Sequence, residues 1–138
     1  MRWFHPIRID DRDGFRVQHL DSDGALIATS VDTSDLIGNA WYQHVDVIAV
    51  PVSRLGPAFL TLRSQRAGEI LQKAVNYEVT FAVVGDISEL VAVSDAVRDF
   101  VGESNRGQHA WFQPDEVALE SKLALLRAAR AGRDSRVA

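Results

Sequence analysis

The alternation of apolar and polar positions is sharpest between Phe59 and Asp86, where it reads as a helix feeding a strand. Ala67, Ile70, Leu71, Ala74 and Val75 recur at the spacing of one helical face, with Glu69, Gln72, Lys73 and Asn76 on the other side. Val79 to Val84 follows as a short β-branched and aromatic run closed by Gly85-Asp86, as expected of a central strand covered on both faces. Val45 to Val52 has the same character and predicts a second buried strand, stopped by Pro51, which has no N–H for a ladder. Ser53 to Pro57 reads as a loop.

The rest of the chain packs around this pair. Trp3, Phe4 and Ile7 lead into the acidic, turn-like Asp10 to Gly14, so residues 1–13 are either an ordered arm or an edge strand, folding back or reaching another subunit of a homodimer. Phe15, Val17 and Leu20 alternate roughly with Arg16, Gln18 and His19, which predicts a half-exposed strand. A turn at Asp21 to Gly24 then lets Ala25 to Thr29 pair back as a hairpin. Asp32 or Thr33 is placed to cap a helix carrying Leu36, Ile37, Ala40 and Trp41 and ending near His44, with Asp35 in its first turn. Ser88 is placed to cap one helix bearing Leu90, Val93, Val97, Phe100 and Val101, ended by Asn105-Arg106-Gly107 through the left-handed preference of Asn and Gly. Ala110 to Phe112 is a short last strand. Pro114 suits the first turn of a final helix with Val117, Leu119, Leu123 and Leu126.

Two strands followed by regular alternation of helix and strand predict an α/β fold: a mixed, mostly parallel central sheet with an N-terminal hairpin and flanking helices. At 138 residues, 46% of them hydrophobic, the chain suits one domain over residues 1–131, with 132–138 expected to be a disordered basic tail. No apolar run reaches membrane-spanning length and the first residues lack a signal-peptide pattern, so a cytoplasmic protein with no membrane contact is expected. The absence of cysteine removes disulfides, thiolate nucleophiles and Cys-ligated zinc. A net charge of −4 argues against nucleic acid as a partner, and the arginines between Arg127 and Arg136 read as a solvated terminus.

In open α/β sheets ligands bind beyond the carboxyl ends of the strands, where helix N-termini present free N–H groups. Two loops meet that description. One holds Ser53, Arg54, Thr61, Arg63, Ser64 and Arg66, and the other holds Asp86 and Ser88. Glu69 and Asp86 form a candidate catalytic pair for acid–base work, which needs one carboxyl desolvated; the plainer alternative is a first-turn helix acid and a residue that turns the chain. His5, His19, His44 and His109 are scattered without a metal-ligand spacing, so no metal is expected. Serine-hydrolase, nucleotide-hydrolase and dinucleotide motifs are absent, and no cofactor is expected. Trp41-Tyr42-Gln43-His44 reads as core packing around Trp41, the alternative being an aromatic ligand wall with a titratable tip. Trp111-Phe112 reads as strand core rather than a base-stacking platform.

The element order, with a small-residue helix start at Arg63-Ser64-Gln65-Arg66-Ala67-Gly68 and a strand ending in Gly85, resembles the STAS domain of anti-sigma-factor antagonists and sulfate transporters. Three phrases, Ala67 to Lys73 with Asn76-Tyr77, Val84-Gly85-Asp86, and Glu103-Ser104-Asn105 with Gly107, resemble a bacterial family known only as a domain of unknown function, DUF4180. The first resemblance implies a phosphorylatable serine at Ser64, whose phosphate would gain from the helix dipole and from Arg63 or Arg66; otherwise Ser64 is an ordinary cap.

Two functions follow as expectations. One is a non-enzymatic, STAS-like regulatory or interaction domain that binds a protein partner or small ligand at the carboxyl ends of the central strands. The other is a small cofactor-independent cyclase, isomerase or hydrolase-like enzyme with Glu69 or Asp86 as acid–base and Arg63 or Arg66 as anion clamp.

Overall fold

The computed structural model describes residues 8–27, 29–55 and 66–137. A β-hairpin opens it: strand β1 (Arg8–Arg12) lies antiparallel to β2 (Phe15–His19), with Arg12 opposite Phe15. The two residues between them, Asp13 and Gly14, both have positive φ, 53° and 83°, the geometry that matches a two-residue turn to the twist of its strands. The hairpin partner of β2 therefore precedes it, and the described residues of the expected partner at Ala25 to Thr29 form no strand; there Ile27 donates its N–H to the Arg54 carbonyl at 2.7 Å. Asp10, Asp11 and Arg12 belong to the edge strand, where charged side chains deter pairing with another sheet.

Strands β3 (Val47–Pro51), β4 (Thr80–Val84) and β5 (Ala110–Gln113) run parallel to β2, and the spatial order is β1-β2-β3-β4-β5. The fold is thus mixed α/β, with one antiparallel pair and the rest parallel. Strand β2 is not half exposed as its alternation suggested, because both faces of the sheet are covered: Gln18 and His19 are buried along with Val17. Strand order equals chain order, so the sheet has no point at which successive connections diverge and leave a crevice.

The connections are helices α1 (Ser30–Tyr42), α2 (Arg66–Asn76), α3 (Ser88–Val93) and α4 (Asp95–Arg106), and helix α5 (Glu116–Val137) follows β5. Crossovers of one hand between successive neighbours put their helices on one face. Leu36, Ile37 and Ala40 of α1, Ile70 and Ala74 of α2 and Val97 of α4 accordingly join one core with Ile48, Val50, Phe81 and Val83. Leu119 and Leu123 of α5 cover the opposite face with Phe15, Val17, Val47, Ala82 and Trp111. Trp111 and Phe112 are core residues, as the sequence suggested.

Local chemistry moves several boundaries. Thr29, rather than Asp32 or Thr33, caps α1: its hydroxyl accepts from Asp32 N–H while the Asp32 carboxylate accepts from Thr29 N–H, each at 3.1 Å. The single helix expected from Ser88 is broken at Ser94, which turns extended and caps α4 by accepting from Val97 N–H at 3.2 Å; Leu90 and Val93 are left exposed. Gly107 ends α4 with φ −91°, not in the left-handed region. The last helix starts two residues beyond Pro114, with Asp115 accepting from Ala118 N–H at 2.8 Å, and Val117 lies outside the core. Helix α5 continues past Ala131 to Val137.

Candidate functional site

At the carboxyl ends of the parallel strands, where the sequence placed the site, the described residues Ser53 and Arg54 bond to backbone carbonyls. Ser53 donates its hydroxyl to the Ser22 carbonyl at 3.0 Å. Arg54 is only 4% exposed, and its guanidinium donates to the Ala25 and Asp21 carbonyls at 2.7 and 2.9 Å. Burial pulls its pKa down from the ordinary arginine value. Arg54 thus ties the segment after β2 to the end of β3. Gly24 makes room for it, since a Cβ there would lie 2.7 Å from the Arg54 Cζ.

Asp86 is exposed, and its carboxyl is held below the ordinary value by the Ser88 hydroxyl and then by the Ser88 N–H, which donates to Oδ1 at 2.9 Å. A neutral-pH acid–base requires a shift in the opposite direction. Ser88 begins α3 without acting as a side-chain cap. Glu69 sits partly buried in the first turn of α2. Thr61, Arg63, Ser64 and the Arg66 side chain lie outside the described residues, and so does His5.

Two clefts open at the opposite edge of the sheet. Helices α1 and α2 both finish there, and their ends are built alike. After α1, His44 N–H donates to Trp41 O at 3.1 Å and Val45 N–H to Ala40 O at 2.9 Å; after α2, Glu78 N–H donates to Val75 O at 3.2 Å and Val79 N–H to Ala74 O at 3.0 Å. Each is a Schellman cap, with an apolar residue on either side of the turn, Ala40 with Val45 and Ala74 with Val79. Such caps favour glycine in the left-handed position, yet here that position holds His44 at φ 59° and Glu78 at φ 54°.

Between the two caps lies a cleft of about 730 Å³ lined by Trp41, Tyr42, His44, Asp46, Tyr77 and Glu78. Trp41 is 60% exposed and Tyr42 76%, so Trp41 is not the core residue its helical spacing suggested. The Trp41 and Tyr77 rings meet edge to face at 6.4 Å between centroids. Asp46 and Glu78 also line an adjoining cleft of about 500 Å³, completed by Thr80, Gln108, His109 and Trp111. Hydrogen bonds hold this edge still: Arg16 N–H donates to Asp46 Oδ2 at 2.8 Å, and the Thr80 hydroxyl donates to the Gln108 carbonyl at 2.6 Å. The His109 Nδ1 is buried without a hydrogen-bond partner.

Helical periodicity misassigned Trp41 because a residue in the last turn can fall on the apolar side of a helical wheel and still overhang the sheet edge. A signal for the cleft existed in the sequence. Ala40 to Val45 and Ala74 to Val79 share the same apolar spacing around a helix end, with an aromatic and a titratable residue between.

A second polar group joins β1, β2 and α5. The His19 Nε2 and Asp10 Oδ1 are 3.0 Å apart, Arg12 donates to Asp10 Oδ2 at 3.0 Å, and Arg12 also pairs with Glu120. Burial pushes the Asp10 carboxyl up, but hydrogen bonds from His19 and Arg12 outweigh it and hold the group below its ordinary value. Among the described residues no three His, Asp or Glu side chains converge to hold a metal ion, and no helix is long and apolar enough to cross a membrane.

No curated protein and no solved structure matches the chain. A family profile does match, over residues 12–123, and that span takes in strands β2 to β5 and both capped helix ends. On that match the chain belongs to the family described as Domain of unknown function (DUF4180).

Proposed function

We propose that this protein is a non-enzymatic binding domain whose working surface is the aromatic cleft between the ends of α1 and α2. The observation that carries this reading is the pairing of exposed aromatic rings, Trp41, Tyr42 and Tyr77, with two strained non-glycine caps on the rim of one cleft. Solvent-facing tryptophan and tyrosine are the residues that dominate binding energy at interfaces. Strained backbone in turn concentrates at sites where a particular side chain is needed. The sequential strand order, with α5 the one helix on its face among the described residues, supports a STAS-like regulatory or interaction domain in which the sheet is a scaffold. The enzyme reading is weakened by Asp86, whose carboxyl is shifted away from neutrality.

A binding screen on matched variants tests this. Thermal-shift hits from a library of peptides and metabolites are expected to disappear in Trp41→Ala and Tyr77→Ala and to persist in Ser53→Ala and Asp86→Ala. Hits that survive the first pair and vanish in the second, or a bound compound that is converted to product, contradict it.

A further inference from the structure

We infer that the cleft between α1 and α2 docks an arginine-bearing peptide segment of a partner protein. The inference rests on the binding-domain reading and names the chemistry of its ligand. Three independent features of the cleft favour positive charge. First, Trp41, Tyr42 and Tyr77 present aromatic surfaces, whose faces attract cations within about 6 Å. Second, the lining includes two carboxylates, Asp46 and Glu78, beside His44 and, among the described residues, neither lysine nor arginine. No salt bridge to either carboxylate is formed among the described residues.

The third feature is the fold itself. Helices α1 and α2 both end at the cleft, and each helix C-terminus carries roughly half a negative charge. Helix α1 has no basic residue in its last turn to offset it, whereas Lys73 in the last turn of α2 partly offsets the second, so the field comes mainly from α1. A glycine at either cap would relieve the backbone, but at position 78 it would also delete a carboxylate from the lining.

Openness selects a peptide over a small free cation. Small-ligand sites bury most of their ligand, about 70–90% of its surface. Here Trp41 and Tyr42 are more than half exposed, so a lone cation would leave the rings wet, whereas the backbone and neighbouring residues of a peptide would cover them. Arginine is favoured over lysine because a planar guanidinium stacks on an aromatic face while its edge forks onto a carboxylate. The chain itself carries Arg127, Arg130, Arg133 and Arg136, which makes a second copy the competing occupant.

Titration of the full-length protein with fluorescent Gly/Ser peptides bearing several arginines, several citrullines or several glutamates, and with free arginine, separates these occupants. The arginine peptide is expected to bind at least about tenfold more tightly than the citrulline peptide, to weaken as salt rises, and to lose about tenfold in Trp41→Ala and in Glu78→Gln. Circular dichroism and melting of both variants should match the parent, and Asp86→Asn should bind normally. Equal binding of the citrulline or glutamate peptide that still needs Trp41 overturns the cationic ligand and leaves the binding cleft standing. Free arginine binding as tightly as the peptide overturns the peptide. Self-association abolished by Trp41→Ala or Glu78→Gln assigns the cleft to a second copy and overturns the partner. No binding to well-folded protein overturns the inference, and arginine-peptide binding that ignores Trp41 and fails in Asp86→Asn overturns both it and the proposed function.

Discussion

His44 and Glu78 occupy the same position in two successive helix–strand units: each is the left-handed residue of a Schellman cap, each precedes a buried valine, and both line one cleft. The chain makes this turn twice with a side chain that the turn disfavours. Left-handed backbone costs a non-glycine residue about 1–2 kcal/mol, a cost that packing elsewhere must offset.

Glycine at either cap should therefore stabilise the fold. For His44→Gly and Glu78→Gly we expect gains of about 0.5–1 kcal/mol each, the relieved strain less the entropy that glycine adds to the unfolded chain. Urea unfolding of the single and double variants measures this. Loss of stability in both would show that these side chains hold the caps together rather than strain them.

Gln18 offers a second test, inside the core. It is 1% exposed, it lies opposite Ile9 on one side and Ile48 on the other, and neither its amide nitrogen nor its oxygen has a partner. A buried polar group without a bond costs about 1–3 kcal/mol. Gln18→Met, close in shape, is expected to raise the urea midpoint with an unchanged slope, and a lowered midpoint would mean that the amide is satisfied in solution.

Arg54 separates structure from binding at the other edge. Arg54→Ala removes both bonds to the Asp21 and Ala25 carbonyls and should cost about 2–4 kcal/mol, while Ser53→Ala next to it should stay within about 1 kcal/mol. Gly24→Ala, which crowds the same guanidinium, should also destabilise. Equal, small effects of all three in denaturation would remove the structural role assigned to Arg54.

Acid should act through Asp10. Its carboxyl is held below the ordinary value of 3.8 in the folded protein, so its contribution is complete above that pH and is lost as pH falls through the lower folded value. Stability measured from pH 5 downward should fall more gently in Asp10→Asn than in the parent. Parallel curves would mean that the pairing with His19 and Arg12 contributes nothing.

Much of the fold is legible from side-chain spacing. The runs at Val47–Pro51 and Thr80–Val84 are apolar on both faces because both are central, and Ile70 and Ala74 mark the buried side of α2. Position in the sheet is not legible in the same way. Phe15 to His19 alternates like a strand with a wet face, yet all but Arg16 are buried because helices cover both faces of the sheet, and β1 occupies its outer edge through the Asp13-Gly14 turn, which the alternation does not encode. The break at Ser94 was hidden because Leu90, Val93 and Val97 keep helical spacing across it. The cleft is hidden in the sequence for a related reason: ligand crevices beyond the carboxyl ends of strands open between diverging connections, and a sheet whose strand order equals its chain order has none.

The central claim, that binding belongs to the edge where α1 and α2 end, is tested most directly by mapping amide chemical shifts on the labelled full-length protein as the arginine peptide is added. The account predicts that the perturbed amides cluster at Trp41 to Asp46 and Val75 to Thr80. Perturbations centred instead on Ser53, Arg54, Asp86 and Ser88, with the aromatic cleft unmoved, would contradict it.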